Sequence, residues 1–187
     1  MSIAIVDHAL PYDSHTLLTS STIPALNPIS STSYRRPRRE WRPFQAICST
    51  VAIFQLCVGP RCLIFQILHA PNIPQSLISF LGNANHKFVG VGIEEDVEKL
   101  VCDYDLSVAT YVDLRDLAAD KLGDEDLKKS GLKTLALRVL EKEIEKPKSI
   151  SRSRWDNPWL NSEQVKYACI DAFISFEVGR LLYSGEL

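Results

Sequence analysis

Tyr167 and Asp171 are the first pair of side chains in this sequence that could do chemistry. They stand four residues apart in the segment VKYACIDAF, so on a helix they share one face. That face lies beside an apolar stripe, where the wall of a cleft would be. A phenol and a carboxylate so placed can hold a metal ion and a water molecule. An ordinary surface pair is the alternative, and the spacing alone favours it.

Asp96 is a third candidate, because it closely follows an apolar run that is typical of a buried strand. The run is FVGVGI, and Asp96 falls in the first turn of the helix predicted after it. The carboxyl ends of strands are where α/β sheets build their sites. However, an aspartate in a first helical turn is favoured by the helix dipole alone. Taken by itself, Asp96 is more often a helix-end charge than a ligand.

Basic side chains are concentrated in the front half of the chain. The segment YRRPRREWRPF holds five arginines, and between residues 14 and 93 Glu40 is the only acid beside seven Lys and Arg. From residue 94 onward, twenty acidic residues outnumber fourteen basic ones, and the net charge of the whole chain is −2. A cationic half beside carboxylates suits an enzyme that grips phosphates. A solvated surface of uneven charge is the alternative.

Apolar periodicity predicts the elements that must position these residues. Two apolar runs separated by Gly59 and Pro60 predict a β-hairpin. The runs FVGVGI and VATYVDL predict two further strands, and Ser130 is the expected N-cap of one of the helices. Helices are expected over residues 74–83, 94–106, 130–145 and 161–183. Strands followed by strand–helix alternation indicate an α/β fold with a mixed sheet covered by helices.

Residues 1–39 are expected to be a poorly ordered leader. They are rich in Ser, Thr, Pro and Arg, a composition that buries little apolar surface. This composition also suits an organelle transit peptide, although Asp7 and Asp13 precede the acid-free stretch. The longest apolar runs are too short to cross a bilayer, so no membrane association is expected. The five cysteines include no Cys-x-x-Cys pair, which favours reduced, mostly buried thiols over disulfides or zinc.

Read together, four segments resemble the 3′–5′ exonuclease family that has an Asp-Glu-Asp-Asp metal site and a Tyr-x-x-x-Asp third motif. The segments are FVGVGIEEDVEKL, GLKTLALRVLEKEIEKPK, SRWDNPWL and VKYACIDAF, in this order. The likeness runs from about Ser49 to Leu187 and is greatest to plant proteins resembling the Werner-syndrome exonuclease domain. We therefore assign residues 40–187 to an exonuclease-like domain that is incomplete at its N-terminal edge.

The resemblance implies a ribonuclease H-like fold and a site of known chemistry. Asp96 matches the aspartate of the second motif, Asp171 that of the third motif, and Tyr167 the tyrosine. In this family four carboxylates hold two divalent cations, Mg²⁺ or Mn²⁺, of which one activates a water and the other stabilises the leaving oxygen. The tyrosine orients that water, and nucleotides leave one at a time from the 3′ end.

The same resemblance implies a setting for the protein. Its partner would be nucleic acid, either DNA or RNA, and a helicase or repair protein is expected to act beside it. The expected compartment is the nucleus, the cytoplasm or both, with organelle targeting left open.

The first motif of the family, Asp-x-Glu followed by Trp-Arg-Pro, is incomplete in this chain. Glu40 begins the matching segment EWRP, but two positions earlier stands Arg38 instead of an aspartate. The resemblance thus gives Glu40, Asp96 and Asp171 as metal ligands, with Tyr167 as the fourth catalytic residue.

The apolar strand that should carry the first motif is absent as well. In its place stands SSTSYRRPRR, which contains a proline and no β-branched run. The first central strand is therefore expected to be missing or replaced. A strand in SIAIVDHA, which ends near Asp7, is one way to fill the gap. We do not expect it there, because that segment resembles the leader of plant members.

These departures predict a 3′–5′ exonuclease with impaired activity and a weakened two-metal site. Two dications need several carboxylates, and a guanidinium in place of one removes a negative charge and adds a positive one. The alternatives are an inactive pseudo-exonuclease that binds nucleic acid or a partner, and a poorly folding chain.

Trp155 either contacts nucleic acid or anchors its loop in the core. The residues expected to contact nucleic acid are Arg38, Arg39, Arg42, Arg152, Arg154 and Trp155.

Overall fold

The computed structural model describes residues 3–5 and 50–186, which all belong to one compact unit. The strands are β1 (Ile3–Ile5), β2 (Phe54–Val58), β3 (Arg61–Phe65), β4 (Phe88–Gly90) and β5 (Tyr111–Asp113). The α-helices are α1 (Gln75–Leu81), α2 (Ile93–Tyr104), α3 (Leu114–Leu122), α4 (Leu132–Leu140), α5 (Lys148–Ser151) and α6 (Ser162–Ser184). Two 3-10 helices cover Ile67–His69 and Glu125–Lys129.

The strands form one mixed sheet in the order β3-β2-β1-β4-β5. The predicted hairpin is confirmed: β2 and β3 are antiparallel, and Gly59 takes the positive φ of 55° that the tight turn requires. Strands β4 and β5 are parallel, as expected for strands joined through a crossover helix. The predicted α/β architecture of a mixed sheet flanked by helices is confirmed.

The central position of the sheet is filled by β1, from the start of the sequence. Ile3 pairs with Leu56 on one side, and Ala4 pairs with Val89 on the other. The expected loss of the first strand is therefore a replacement, and our expectation that SIAIVDHA stays out of the sheet was wrong. The likeness to a leader misled us, whereas the β-branched character of Ile-Ala-Ile suits a strand.

The replacement strand runs parallel to β2 and antiparallel to β4. Its carboxyl end therefore lies at the edge of the sheet where β4 begins, not at the edge where β4 leads into α2. The three residues of β1 belong to the segment that we assigned to the leader. Asp7 lies outside the described residues, as does everything from residue 6 to residue 49.

Helices cover both faces of the sheet and divide the core into two clusters. Successive residues of a strand point to opposite faces, so Leu56 and Phe88 belong to one cluster and Cys57 and Val89 to the other. The first cluster packs against α1 and α2, and the second against α3, α4 and α6. The four cysteines of the described part are free thiols, of which only Cys57 is fully buried.

Two helix predictions need correction. Helix α4 is shorter than expected, since its N-cap is Gly131 rather than Ser130 and it ends where Glu141 takes a positive φ of 54°. Helix α3 was missed, because its sequence LRDLAADKL has little amphipathic contrast and follows β5 directly. In the part of the chain that the structure describes, no helix combines the length and the apolar character needed to span a membrane.

Asp113 ties the turn after β4 to the turn after β5. Its carboxylate caps α3 by accepting the amide N–H of Arg115 at 2.8 Å, and it also accepts the amide N–H of Gly92 at 2.9 Å. The Arg115 guanidinium donates to the same carboxylate at 3.0 and 2.7 Å. Gly92 precedes α2 with a positive φ of 70°. The first turn of α2, which carries Asp96, is thereby fixed against the neighbouring strand.

We expect Leu135→Ala to lower the free energy of unfolding by about 2–5 kcal/mol, because Leu135 is fully buried in the cluster under α6. Leu137 lies in the same helix but is 53% exposed, so Leu137→Ala provides a matched control with a change within about 0.5 kcal/mol. Urea unfolding followed by circular dichroism measures both. Equal losses in the two variants would contradict the described packing of α4.

Asp113→Asn should make the free energy of unfolding of the domain less dependent on pH in the acidic range. Burial raises the pKa of the Asp113 carboxyl, but hydrogen bonds from Arg115 and Gly92 lower it by more, so the net pKa is below its usual value. The stabilisation is therefore present above the unfolded pKa of about 3.9 and is lost as the pH falls through the lower folded pKa. At neutral pH the variant should be about 1–3 kcal/mol less stable.

Urea unfolding at a series of pH values tests this prediction. The curves of the wild type and of Asp113→Asn should converge as the pH falls below about 4. A stability difference that stays constant across this range would mean that the Asp113 charge contributes nothing.

Candidate active site

Helix α6 presents Asp171 on its buried side, and a lysine meets it there. The helix begins with a capping box. The Asn161 side-chain oxygen accepts the backbone N–H of Gln164 at 2.8 Å, and the Gln164 side-chain oxygen accepts the backbone N–H of Asn161 at 3.0 Å. Asp171 is 9% exposed. The Lys146 ammonium lies 2.9 Å from its Oδ1 atom. Lys146 comes from the segment between α4 and α5, and the sequence analysis missed it.

Tyr167 lies one helical turn before Asp171 and shares the same lysine. The Lys146 Nζ atom stands 5.5 Å from the centroid of the Tyr167 ring, within the range of a cation–π contact. Burial raises the pKa of Tyr167, and the nearby Asp171 carboxylate adds to this effect. The tyrosine therefore carries a protonated hydroxyl at neutral pH, which can donate a hydrogen bond.

Burial dominates the electrostatics of Asp171 itself. It raises the pKa of the carboxyl, while the charge and hydrogen bond of Lys146 oppose that rise. The lysine thus supplies the positive charge that makes an ionised carboxylate tolerable at this depth. The predicted pair of Tyr167 and Asp171 is a partly buried cluster around a cation, not an exposed surface pair.

Three side-chain contacts hold the loop before α6 in place. The buried Gln164 side chain donates to the Ser153 hydroxyl at 3.0 Å. On the other side, the Gln66 side chain donates to the Asn157 carbonyl at 2.9 Å, and the His69 ring lies 2.8 Å from the Asp156 carbonyl oxygen. The loop therefore has a fixed conformation beside the site.

Trp155 packs at the inner end of this loop. Its ring centroid lies 6.0 Å from that of Tyr167, and its indole N–H donates to the Ser151 carbonyl at 3.2 Å. These contacts support the alternative in which Trp155 anchors the loop.

The two basic residues of the loop differ in their surroundings. The Arg154 guanidinium binds the Asp156 carboxylate through both oxygens, at 2.8 and 2.9 Å. Arg152 is exposed. Arg38, Arg39 and Arg42 lie outside the described residues, so their predicted contacts with nucleic acid stay predictions.

Of the three predicted metal ligands, Asp96 and Asp171 lie within the described residues. Asp96 is partly exposed in the first turn of α2, and Asp171 is paired with Lys146. Across residues 3–5 and 50–186, no three His, Cys, Asp or Glu side chains are grouped so that they could hold a metal ion. Glu40 lies outside this part of the chain. The described donor set therefore does not fit a two-cation site, and the ligand assignment stays a prediction.

Comparison with known proteins supports the resemblance seen in the motifs. The family described as 3′-5′ exonuclease matches residues 39–183. A 3′-5′ exonuclease of Arabidopsis thaliana is 37% identical over 147 residues, which are 76% of this chain and 50% of the relative. The mouse bifunctional 3′-5′ exonuclease/ATP-dependent helicase WRN is 39% identical over 137 residues, which are 72% of this chain and 10% of the relative.

Among solved structures, the exonuclease domain of EXD2 soaked in Mn and Mg is 30% identical. The match covers 75% of this chain and 73% of that one, with a TM-score of 0.38. The chain spans half the length of the Arabidopsis relative and a tenth of the mouse one. The family match covers more than half of the chain, and the chain therefore belongs to the 3′-5′ exonuclease family.

Proposed function

We propose that this chain binds the 3′ ends of nucleic acid strands and removes nucleotides from them far more slowly than complete family members do. One observation carries the proposal: the Lys146 ammonium already balances the charge of Asp171 at 2.9 Å. A metal cation therefore competes with Lys146 for the Asp171 carboxylate. This competition is unfavourable for the metal because it weakens a partly buried ion pair.

The remaining residues can still position a strand end. The Tyr167 hydroxyl is a hydrogen-bond donor and acceptor, and the Asp171 carboxylate is an acceptor beside it. The substitution of Arg38 for an acid removes a negative charge from the first motif and leaves a cation that attracts phosphate. Recognition of a 3′ end thus has more support in these residues than hydrolysis does.

A second candidate function is binding without hydrolysis. Five arginines lie between Arg35 and Arg42 with Glu40 as the only acid, and this charge suits a phosphate backbone. In this case the chain is a pseudo-exonuclease that holds nucleic acid or a helicase or repair partner. The choice of DNA or RNA and a location in the nucleus or cytoplasm are part of the same proposal.

Digestion assays separate the two functions. A 3′-labelled single strand and a 3′-recessed duplex are incubated with Mg²⁺ or Mn²⁺, beside the Arabidopsis relative and an Asp171→Ala variant. We expect stepwise loss from the 3′ end that is roughly 100-fold or more slower than with the relative. This residual activity should vanish in the Asp171→Ala variant.

Two results decide against this expectation. Digestion as fast as that of the relative would show that the lost carboxylate is compensated. Salt-dependent binding with no digestion by the folded chain would identify the pseudo-exonuclease.

The ion pair itself is tested by Lys146→Met. The variant leaves the Asp171 carboxylate buried without its cation, so we expect it to lower the free energy of unfolding by about 1–3 kcal/mol. Adding Asp171→Asn removes the unpaired charge and should restore much of the loss. Urea unfolding of the two single variants, the double variant and the wild type forms a complete thermodynamic cycle. Strictly additive effects would contradict a direct interaction.

A further inference from the structure

Trp159 exposes its indole to solvent although its loop is well fastened. The side chain is 85% exposed, whereas the next most exposed large apolar residue in the described part of the chain, Leu137, is 53% exposed. An indole combines a large flat apolar face with one N–H donor, and tryptophan is enriched where proteins contact their partners.

The conformation of the loop makes this exposure a fixed property of the surface. Trp159 stands between Asn157, whose carbonyl accepts from Gln66, and Asn161, which caps α6. On the same loop Trp155 contacts Tyr167. Because Trp159 lies four residues beyond Trp155, their Cα atoms are at most about 14 Å apart. A rigid aromatic platform close to the site loses little conformational entropy when a ligand stacks on it.

Two exposed cations precede this loop, in α5 and at its C-cap. Lys148 and Arg152 are four residues apart across the turn of α5, so they lie on the same side of it, and both are exposed. Neither forms a salt bridge with an acid of the described residues, in contrast to Arg154, whose partner is Asp156. From Lys146 to Asn161 the sequence holds four basic residues and one acid.

We propose that Trp159 stacks on an unpaired base of a nucleic acid strand whose phosphates contact Lys148 and Arg152. An exposed indole on a loop that follows two exposed cations fits a single strand, because every base offers a flat face and every phosphate a negative charge. A duplex keeps its bases stacked inside, and an acidic peptide offers no flat face in register with its charges. The inference rests on the proposed function and adds a base-binding subsite to it.

The experiment compares a normal strand with an abasic strand of the same length and charge. Binding of short, fluorescently labelled thymidine and abasic strands to the full chain is measured by anisotropy at several salt concentrations. Trp159→Ala should weaken binding of the thymidine strand roughly 10-fold and leave binding of the abasic strand unchanged. Trp159→Phe is the matched control, because it keeps an aromatic face and should lose less.

The phosphate contacts give a separate signature. Replacing both Lys148 and Arg152 by alanine should reduce the salt dependence of single-strand binding by about 1.4 in the slope of log K against log salt. This change should be the same for both strands. Thermal unfolding of each variant verifies that the surface substitutions leave the fold intact.

The outcomes distinguish the two proposals. Suppose that the wild type binds both strands. If Trp159→Ala then binds each strand as tightly as the wild type does, or loses the same factor in affinity for the thymidine and the abasic strand, the stacking site is wrong and the proposed function stands. If the wild type binds neither strand at low salt, the proposed function fails and the subsite fails with it. Binding of polyglutamate with the same dependence on Trp159 would also overturn the assignment to nucleic acid.

Discussion

The centre of the sheet must contain a strand, and most of the structure depends on how this chain meets that requirement. Strands β2 and β4 each turn a row of backbone N–H and C=O groups toward the space between them, and buried groups of this kind need partners. Three residues, Ile3–Ile5, provide those partners and join the hairpin to the β4–β5 half of the sheet. The helices on both faces can then pack on a continuous surface.

The same replacement shapes the candidate site. A strand that runs antiparallel to β4 ends at the edge opposite to the one where Asp96 follows β4 in the chain. On the side of α6, Lys146 reaches a carboxylate that is nine-tenths buried and neutralises it with a single charge. One ammonium ion balances one carboxylate, whereas two dications would need several. Lys146 thereby balances the charge of Asp171 within the described residues.

Features that depend on neighbours along the chain could be predicted from the sequence. The 3.6-residue periodicity and the Asn161–Gln164 capping box place α6 correctly, and with it the shared face of Tyr167 and Asp171. Lys146 could not be predicted, because its approach to Asp171 depends on the path of an irregular segment between two helices. Asp113 carried a usable signal, since an aspartate directly before a helix is a common N-cap, but α3 has too little amphipathic contrast to reveal the helix. A strand of three residues, such as β1, is too short for alternation to identify.

The position of β1 has a kinetic consequence. Ile3 must find Leu56 and Ala4 must find Val89, so the central strand pairs with partners that are remote in sequence on both of its sides. Closing such loops costs chain entropy before any contact repays it, and folding rates fall as contacts become less local. Until β1 docks, the hairpin and the β4–β5 half lack the strand that joins them. We therefore expect the middle of the sheet to form late in folding, because its contacts are the least local ones.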